Sequence, residues 1–184
     1  ATGCRVTGID LTPEYVETAR ALSARTGVGD RTTFEVASAL QMPFADHAFD
    51  AAMTLHVAMN IKDRAGLYRE TARVLKRDAV LCLYDVMKGR NEGLKYPVPW
   101  ADTAEASHLT SPEDMRGLLA DTGFRIEEVE DRTAFGIAFF RERMAAGGSP
   151  GPLGLHVLMG EAARAKFQNM LFNLEQGCIA PVVM

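Results

Sequence analysis

The stretch Val6-Thr7-Gly8-Ile9-Asp10-Leu11-Thr12-Pro13-Glu14 constrains the fold more than any other part of this chain. It runs an apolar strand into an acid and then straight into a helix start. Thr12 stands at the cap, Pro13 at the first helical position and Glu14 near the positive end of the helix dipole. An Asp at the carboxyl end of a parallel strand is placed to accept hydrogen bonds from the two ribose hydroxyls of a nucleotide lying across the sheet edge. The residues themselves therefore predict a nucleoside-containing ligand at Asp10. Such folds carry a Gly-rich strand-to-helix turn about 20 residues before the acid, and only nine residues precede Asp10 here. The chain is expected to open in the middle of a fold.

Strand and helix patterns alternate through the first two-thirds of the sequence, the order that builds a parallel sheet covered on both faces. A strand is expected over Cys4 to Asp10. A helix from Thr12 should bury Val16, Ala19 and Leu22 and stop at Gly27. Phe34 to Ala37 and Ala51 to Leu55 read as further strands. Asp63 can cap a helix whose Leu67, Thr71, Val74 and Leu75 share a face, with Lys76 and Arg77 at its negative end. Val80 to Tyr84 is an unbroken apolar run, the mark of a strand buried on both faces.

A long excursion, 86–110, follows, rich in Gly and Pro, and excursions of that length are commonly lids. Ser111-Pro112-Glu113-Asp114 then starts a helix, with an acid three residues after the Ser as in a capping box, and Met115, Leu118 and Leu119 face inward as far as Gly123. Ile126 to Glu130 alternates like a strand with one wet face. A helical segment over 137–177 is interrupted at Gly147-Gly148-Ser149-Pro150-Gly151-Pro152 and carries an apolar stripe of Met159, Phe167, Met170, Leu171 and Leu174. Ile179 to Met184 reads as a final strand whose abrupt apolar end suggests that more chain follows.

With 184 residues, 47% of them hydrophobic, one domain over 1–184 with a sizeable core is expected, N-terminally incomplete. The net charge of -4 comes with no basic stripe, so nucleic acid is not expected as a partner. Cys4, Cys82 and Cys178 have neither disulfide nor zinc-knuckle spacing, which fits a reducing, cytoplasmic setting. No apolar run approaches the length of a membrane span. The histidines have no ligand spacing, and no metal is implied.

Taken together, Val6 to Asp10, Ser38-Ala39-Leu40-Gln41-Met42-Pro43-Phe44, Phe49-Asp50, His56-Val57 and Arg73-Val74-Leu75-Lys76 resemble, in order and spacing, the class I S-adenosylmethionine-dependent methyltransferases. The nearest look is to the ubiquinone/menaquinone-type small-molecule group and, within it, the sarcosine/dimethylglycine N-methyltransferases. The latter comparison rests on His56-Val57-Ala58-Met59-Asn60-Ile61, Tyr96-Pro97-Val98-Pro99-Trp100-Ala101 and Leu153-Gly154-Leu155-His156-Val157-Leu158-Met159-Gly160. The resemblance implies a Rossmann-like α/β sheet with a reversed final strand, here lacking the first strand and its helix. It implies S-adenosylmethionine across the carboxyl ends of the strands, and methyl transfer by direct in-line displacement to a small acceptor such as a methylated amine.

Residue by residue, the resemblance puts Asp10 on the ribose and Leu11 on the adenine ring. Ser38, Ala39 and Leu40 stand where the family, more often with an Asp, bonds the adenine amino group; with Ser38 there, a backbone N–H of Ala39 or Leu40 to a ring nitrogen becomes the expected contact. His56 would lie beside the sulfonium, with Met59 and Asn60 near the acceptor. Tyr96 and Trp100 could form an aromatic cage for a cationic amine, worth about 0.5 to 2 kcal/mol. Each residue also has a plainer reading: a dipole-offsetting acid, a buried leucine, an ordinary turn, a satisfied histidine, a Pro-rich loop pinned by its aromatics. The sulfonium leaves readily, so no nucleophile is needed and no catalytic residue is assigned. The Met159 to Leu174 stripe is expected to be core, although a helix this apolar could form a seam in a homodimer. Two other functions are kept open, a methyltransferase-like binding domain without activity and a nicotinamide-dependent reduction, the second fitting the Phe44 to Asn60 pattern poorly.

Overall fold

Apolar Val6 and Ile9 and the small Gly8 form strand β1 (Val6–Asp10), and helix α1 (Pro13–Arg25) begins three residues later with Pro at its first turn. α1 stops where Gly27 takes a positive φ of 72°, which lets the Val28 N–H return to the Ser23 carbonyl at 3.0 Å. Strand β2 (Thr32–Val36) then pairs with β1 in parallel, Val6 opposite Thr32 and Asp10 opposite Val36. The computed structural model describes residues 3–145 and 154–184. They fall into two units, Ala1–Ala51 with Gly66–Ala79 and Ala52–Ala65 with Val80–Met184.

In the first unit α1 faces its sheet with Val16 and Ser23, seven residues apart. Leu22, expected in the core, is 55% exposed. It sits one residue before Ser23, about 100° round the helix from the buried line. Thr12 occupies the cap position without a side-chain cap bond; its N–H donates instead to Asp10 Oδ1 at 2.8 Å. Helix α2 (Arg64–Val74) contributes buried Thr71 and Val74 to this unit as expected.

Strand β4 (Leu75–Lys88) follows α2 without a loop, so Lys76 and Arg77 are strand residues rather than a helix end. Lys76 reaches across to Asp50 on β3 (Phe49–Leu55) at 2.7 Å, and that hydrogen bond, with the charge behind it, lowers the Asp50 pKa. Val80 to Tyr84 is not buried on both faces. Val80 is 67% exposed and Leu83 1%, the period-two alternation of a sheet with one covered face.

In the second unit the strand order is β3-β4-β6-β5. β6 (Ile179–Val183) runs antiparallel to β4, with Asp85 opposite Val182, which is the reversed final strand the sequence implied. Of the strand expected over Ile126 to Glu130 only the end is formed: β5 (Glu130–Asp131) pairs with Val183 and Val182. Helix α3 (Pro112–Asp121) starts on a reciprocal cap, where the Ser111 hydroxyl accepts from the Asp114 N–H at 3.1 Å and donates to Asp114 Oδ2 at 2.7 Å.

Helices α4 (Thr133–Ala145), α5 (Leu155–Met159) and α6 (Ala163–Glu175) form the helical segment. The break expected at 147–152 lies outside the described residues. Met170 and Leu174 of the α6 stripe enter a core cluster with Met59, Val86 and Ile179. At the end of β4 the chain passes so close to β6 that a Cβ on Gly89 would lie 2.1 Å from the Gly177 carbonyl oxygen. Only glycine fits there. No helix among the described residues is long and apolar enough to cross a membrane.

Candidate functional site

Asp10 ends β1 with an exposed side chain. Its Oδ1 is fixed by the Thr12 N–H at 2.8 Å, while Oδ2 takes no hydrogen bond from the described residues. The neighbouring Leu11 is 71% exposed, so the reading of it as a buried strand-end leucine fails. Strand pairing brings the 36–41 stretch alongside: the Ala37 N–H donates to the Asp10 carbonyl at 3.0 Å, and a tight turn follows in which the Gln41 N–H returns to the Ser38 carbonyl at 3.1 Å. Ser38 Oγ accepts the Leu40 N–H at 3.1 Å. Of the two amides considered for an adenine ring, the Ala39 N–H is therefore the one left available. Val36 and Leu40 are 51% and 43% exposed. One edge of this unit thus presents an acid with an open oxygen and three solvent-facing aliphatic side chains.

Behind that edge the loop 42–46 is held by Arg73. Its guanidinium donates to the carbonyls of Phe44 at 2.7 Å and Met42 at 3.1 Å, to Asp46 Oδ1 at 2.7 Å and to both oxygens of Glu70. Glu70 Oε1 also accepts the Met42 N–H at 2.7 Å. The Arg73 hydrogen bond holds the Glu70 pKa down. Nothing in the local pattern of α2 marks Arg73 as a clamp, because its loop partners Met42, Phe44 and Asp46 lie 27 to 31 residues away.

The second unit carries the remaining candidates. His56 follows β3 with a positive φ of 55°, its N–H donating to the Tyr84 carbonyl at 2.7 Å and its ring lying 4.6 Å from that of Tyr84. Desolvation lowers the imidazole pKa, although the residue as a whole is exposed, and so favours the neutral ring. A 3₁₀ turn, Ala58–Asn60, comes next, with Met59 buried and Asn60 exposed.

This turn rests on Asp85, which no local sequence pattern marks as a site residue. Asp85 is 1% exposed; its Oδ1 accepts the Val57 N–H at 2.9 Å and its Oδ2 the Ala58 N–H at 3.1 Å. Burial pushes its pKa up to about 6, against the pull of those two amides and of the Arg64 charge.

Trp100 packs against the Met59 cluster and donates its indole N–H to Ser107 Oγ at 3.0 Å. Tyr96 lines a cavity of about 180 Å³ with Lys88, Asn91, Leu94, Ser107 and Leu109 among its walls. The structure thus brings Trp100 to Met59 and Tyr96 to this cavity. Among the described residues no group of three or more His, Cys, Asp or Glu could hold a metal ion.

Residues 1–83 match the methyltransferase domain family. Over that stretch, slightly under half of its length, the chain is similar to methyltransferase domains. Its fold superposes on a methyltransferase assigned to sarcosine and dimethylglycine from Galdieria sulphuraria with a TM-score of 0.80 at 17% identity, covering 99% of this chain and 69% of that one. It also superposes on a geranyl diphosphate methyltransferase in complex with SAM, with a TM-score of 0.77 at 17% identity, covering 98% of this chain and 67% of that one. Among curated relatives, the O-methyltransferase resE of Aspergillus sclerotiorum is 28% identical over 134 residues, which are 70% of this chain and 49% of the relative. The chain spans about half the length of such relatives.

Proposed function

We propose that this chain transfers the methyl group of S-adenosylmethionine to a small-molecule acceptor. Asp10 carries the reading: an exposed carboxylate at a parallel strand end, one oxygen fixed by the Thr12 N–H and the other open, is the acceptor a ribose diol requires. The exposed faces of Leu11 and Leu40 suit an adenine ring, and the available Ala39 N–H suits one of its nitrogens. When bound, S-adenosylmethionine supplies a methyl group on a sulfonium that leaves without acid assistance.

The chain's own residues then bind, orient and keep water away. A neutral His56 adds no positive charge that would repel a sulfonium. The acceptor class we favour is a methylated amine, supported by the His56 to Ile61 and Tyr96 to Ala101 segments and by the Galdieria neighbour; the O-methyltransferase relative makes hydroxyl acceptors the natural comparison set.

Calorimetric titration of S-adenosylhomocysteine into the chain and into Asp10→Ala tests the reading. Micromolar binding that disappears in Asp10→Ala supports it, and acceptor screening with labelled methyl donor follows, amines first. No heat from a folded chain would overturn it in favour of a binding domain without transferase activity.

A further inference from the structure

The turn that carries His56, Met59 and Asn60 has little holding it from within. Its 3₁₀ hydrogen bonds are two, Asn60 N–H to the Val57 carbonyl and Ile61 N–H to the Ala58 carbonyl, both at 3.0 Å. His56 enters it with φ at 55°, a conformation that costs a non-glycine residue free energy and persists only where the surroundings impose it. At the mouth of the turn, consecutive amides point one way: the Val57 and Ala58 N–H groups both end on the buried Asp85 carboxylate, one on each oxygen.

An ionised carboxylate accepts both bonds well, whereas a neutral acid or an amide offers one good acceptor and turns a hydrogen toward the other amide. Arg64 on α2 acts on the Asp85 carboxylate by charge; Tyr84 neighbours it on β4 and His56 on the turn; β6 places apolar Val182 opposite it.

We infer that Asp85 is a positioning residue for the proposed methyl transfer: its carboxylate, by gripping two successive amides, fixes the turn that presents His56, Met59 and Asn60 to the reacting groups. The inference rests on the transferase reading for its catalytic consequence and on geometry alone for the grip.

The test has one readout for each. In the ¹⁵N-labelled chain, the Val57 and Ala58 amide resonances are followed from pH 4 to 8, an experiment that needs no variant to fold. Both should shift together with a midpoint near that of Asp85, and the shift should vanish in Asp85→Asn. A midpoint that persists in Asp85→Asn belongs to His56, and that result, or an absence of titration in the parent chain, overturns the grip.

In the enzymatic arm, Asp85→Asn should bind S-adenosylhomocysteine as the parent does while kcat falls on the order of 100-fold, the scale of a misplacement of about 1 Å. Unchanged kcat in a variant whose amides no longer titrate overturns the positioning role. If the parent chain methylates nothing, the transferase reading fails and takes the catalytic consequence with it, while the amide titration still decides whether Asp85 holds the turn.

Discussion

Asn173 holds Lys95 at both ends of its peptide: Oδ1 accepts the Lys95 N–H and Nδ2 donates to the Lys95 carbonyl, each at 2.8 Å. The side chain is fully buried. It gives Lys95 the pair of bonds that a strand neighbour would otherwise supply, and one turn earlier on α6 Asn169 Nδ2 donates to the Pro97 carbonyl at 2.9 Å.

Asn173→Ala removes both bonds to the part-buried Lys95 backbone, a loss of about 1 to 3 kcal/mol. Asn173→Asp keeps the acceptor but sets a carboxylate against the Lys95 carbonyl and should destabilise as well. Urea denaturation gives the magnitude, and hydrogen exchange at Lys95 should accelerate in both variants.

Gly89→Ala should be among the most damaging single changes. The added methyl meets backbone atoms of Gly177 and Cys178 at 2.1 to 2.7 Å, and backbone leading into a paired strand cannot step aside as a side chain can. A loss of about 3 kcal/mol or more is expected, read as a lower denaturation midpoint together with exposure of the buried Cys178 thiol to a thiol reagent.

The pH dependence of stability should carry the mark of Asp85. Burial lifts its folded-state pKa above the ordinary carboxylate value, to about 6, so between about pH 4 and 6 the folded state holds a proton that the unfolded state has released. Stability from this group therefore falls as pH rises through that window and is level above it. Relative to Asp85→Asn, the parent chain should lose up to about 3 kcal/mol between pH 4 and 7. Paired denaturation curves across that range check both the sign and the window.

Arg73→Lys keeps the charge but not the fork that reaches Met42, Phe44, Asp46 and Glu70 together. Loop 42–46 should loosen while α2 persists. Faster exchange of the Met42 amide, with helix content by circular dichroism unchanged, is the expected pair of results.

What could be read from the sequence was local. The β1 acid, Pro13 at a helix start, the Gly27 stop and the Ser111 box each act within four or five residues, and each stands where the pattern put it. The antiparallel β6 came from the family resemblance rather than from any local signal.

The misses share a cause. Asp85 meets its amides 27 and 28 residues away, Asn173 meets Lys95 across 78, and no window of sequence contains both partners. The β4 error was of another kind: an apolar run reads the same whether one face of the strand is covered or two, and Val80 shows that here it is one.

The two asparagines also act as a vernier. Four residues of helix advance about 6 Å, and two residues of extended chain advance about 6.6 Å, so Asn169 and Asn173 match Pro97 and Lys95 in one register and no other. Slipping the excursion by a single residue would break every one of these bonds at once. A one-residue insertion or deletion between Lys95 and Pro97 should therefore uncouple the two asparagines, so that only one of them can keep its partner.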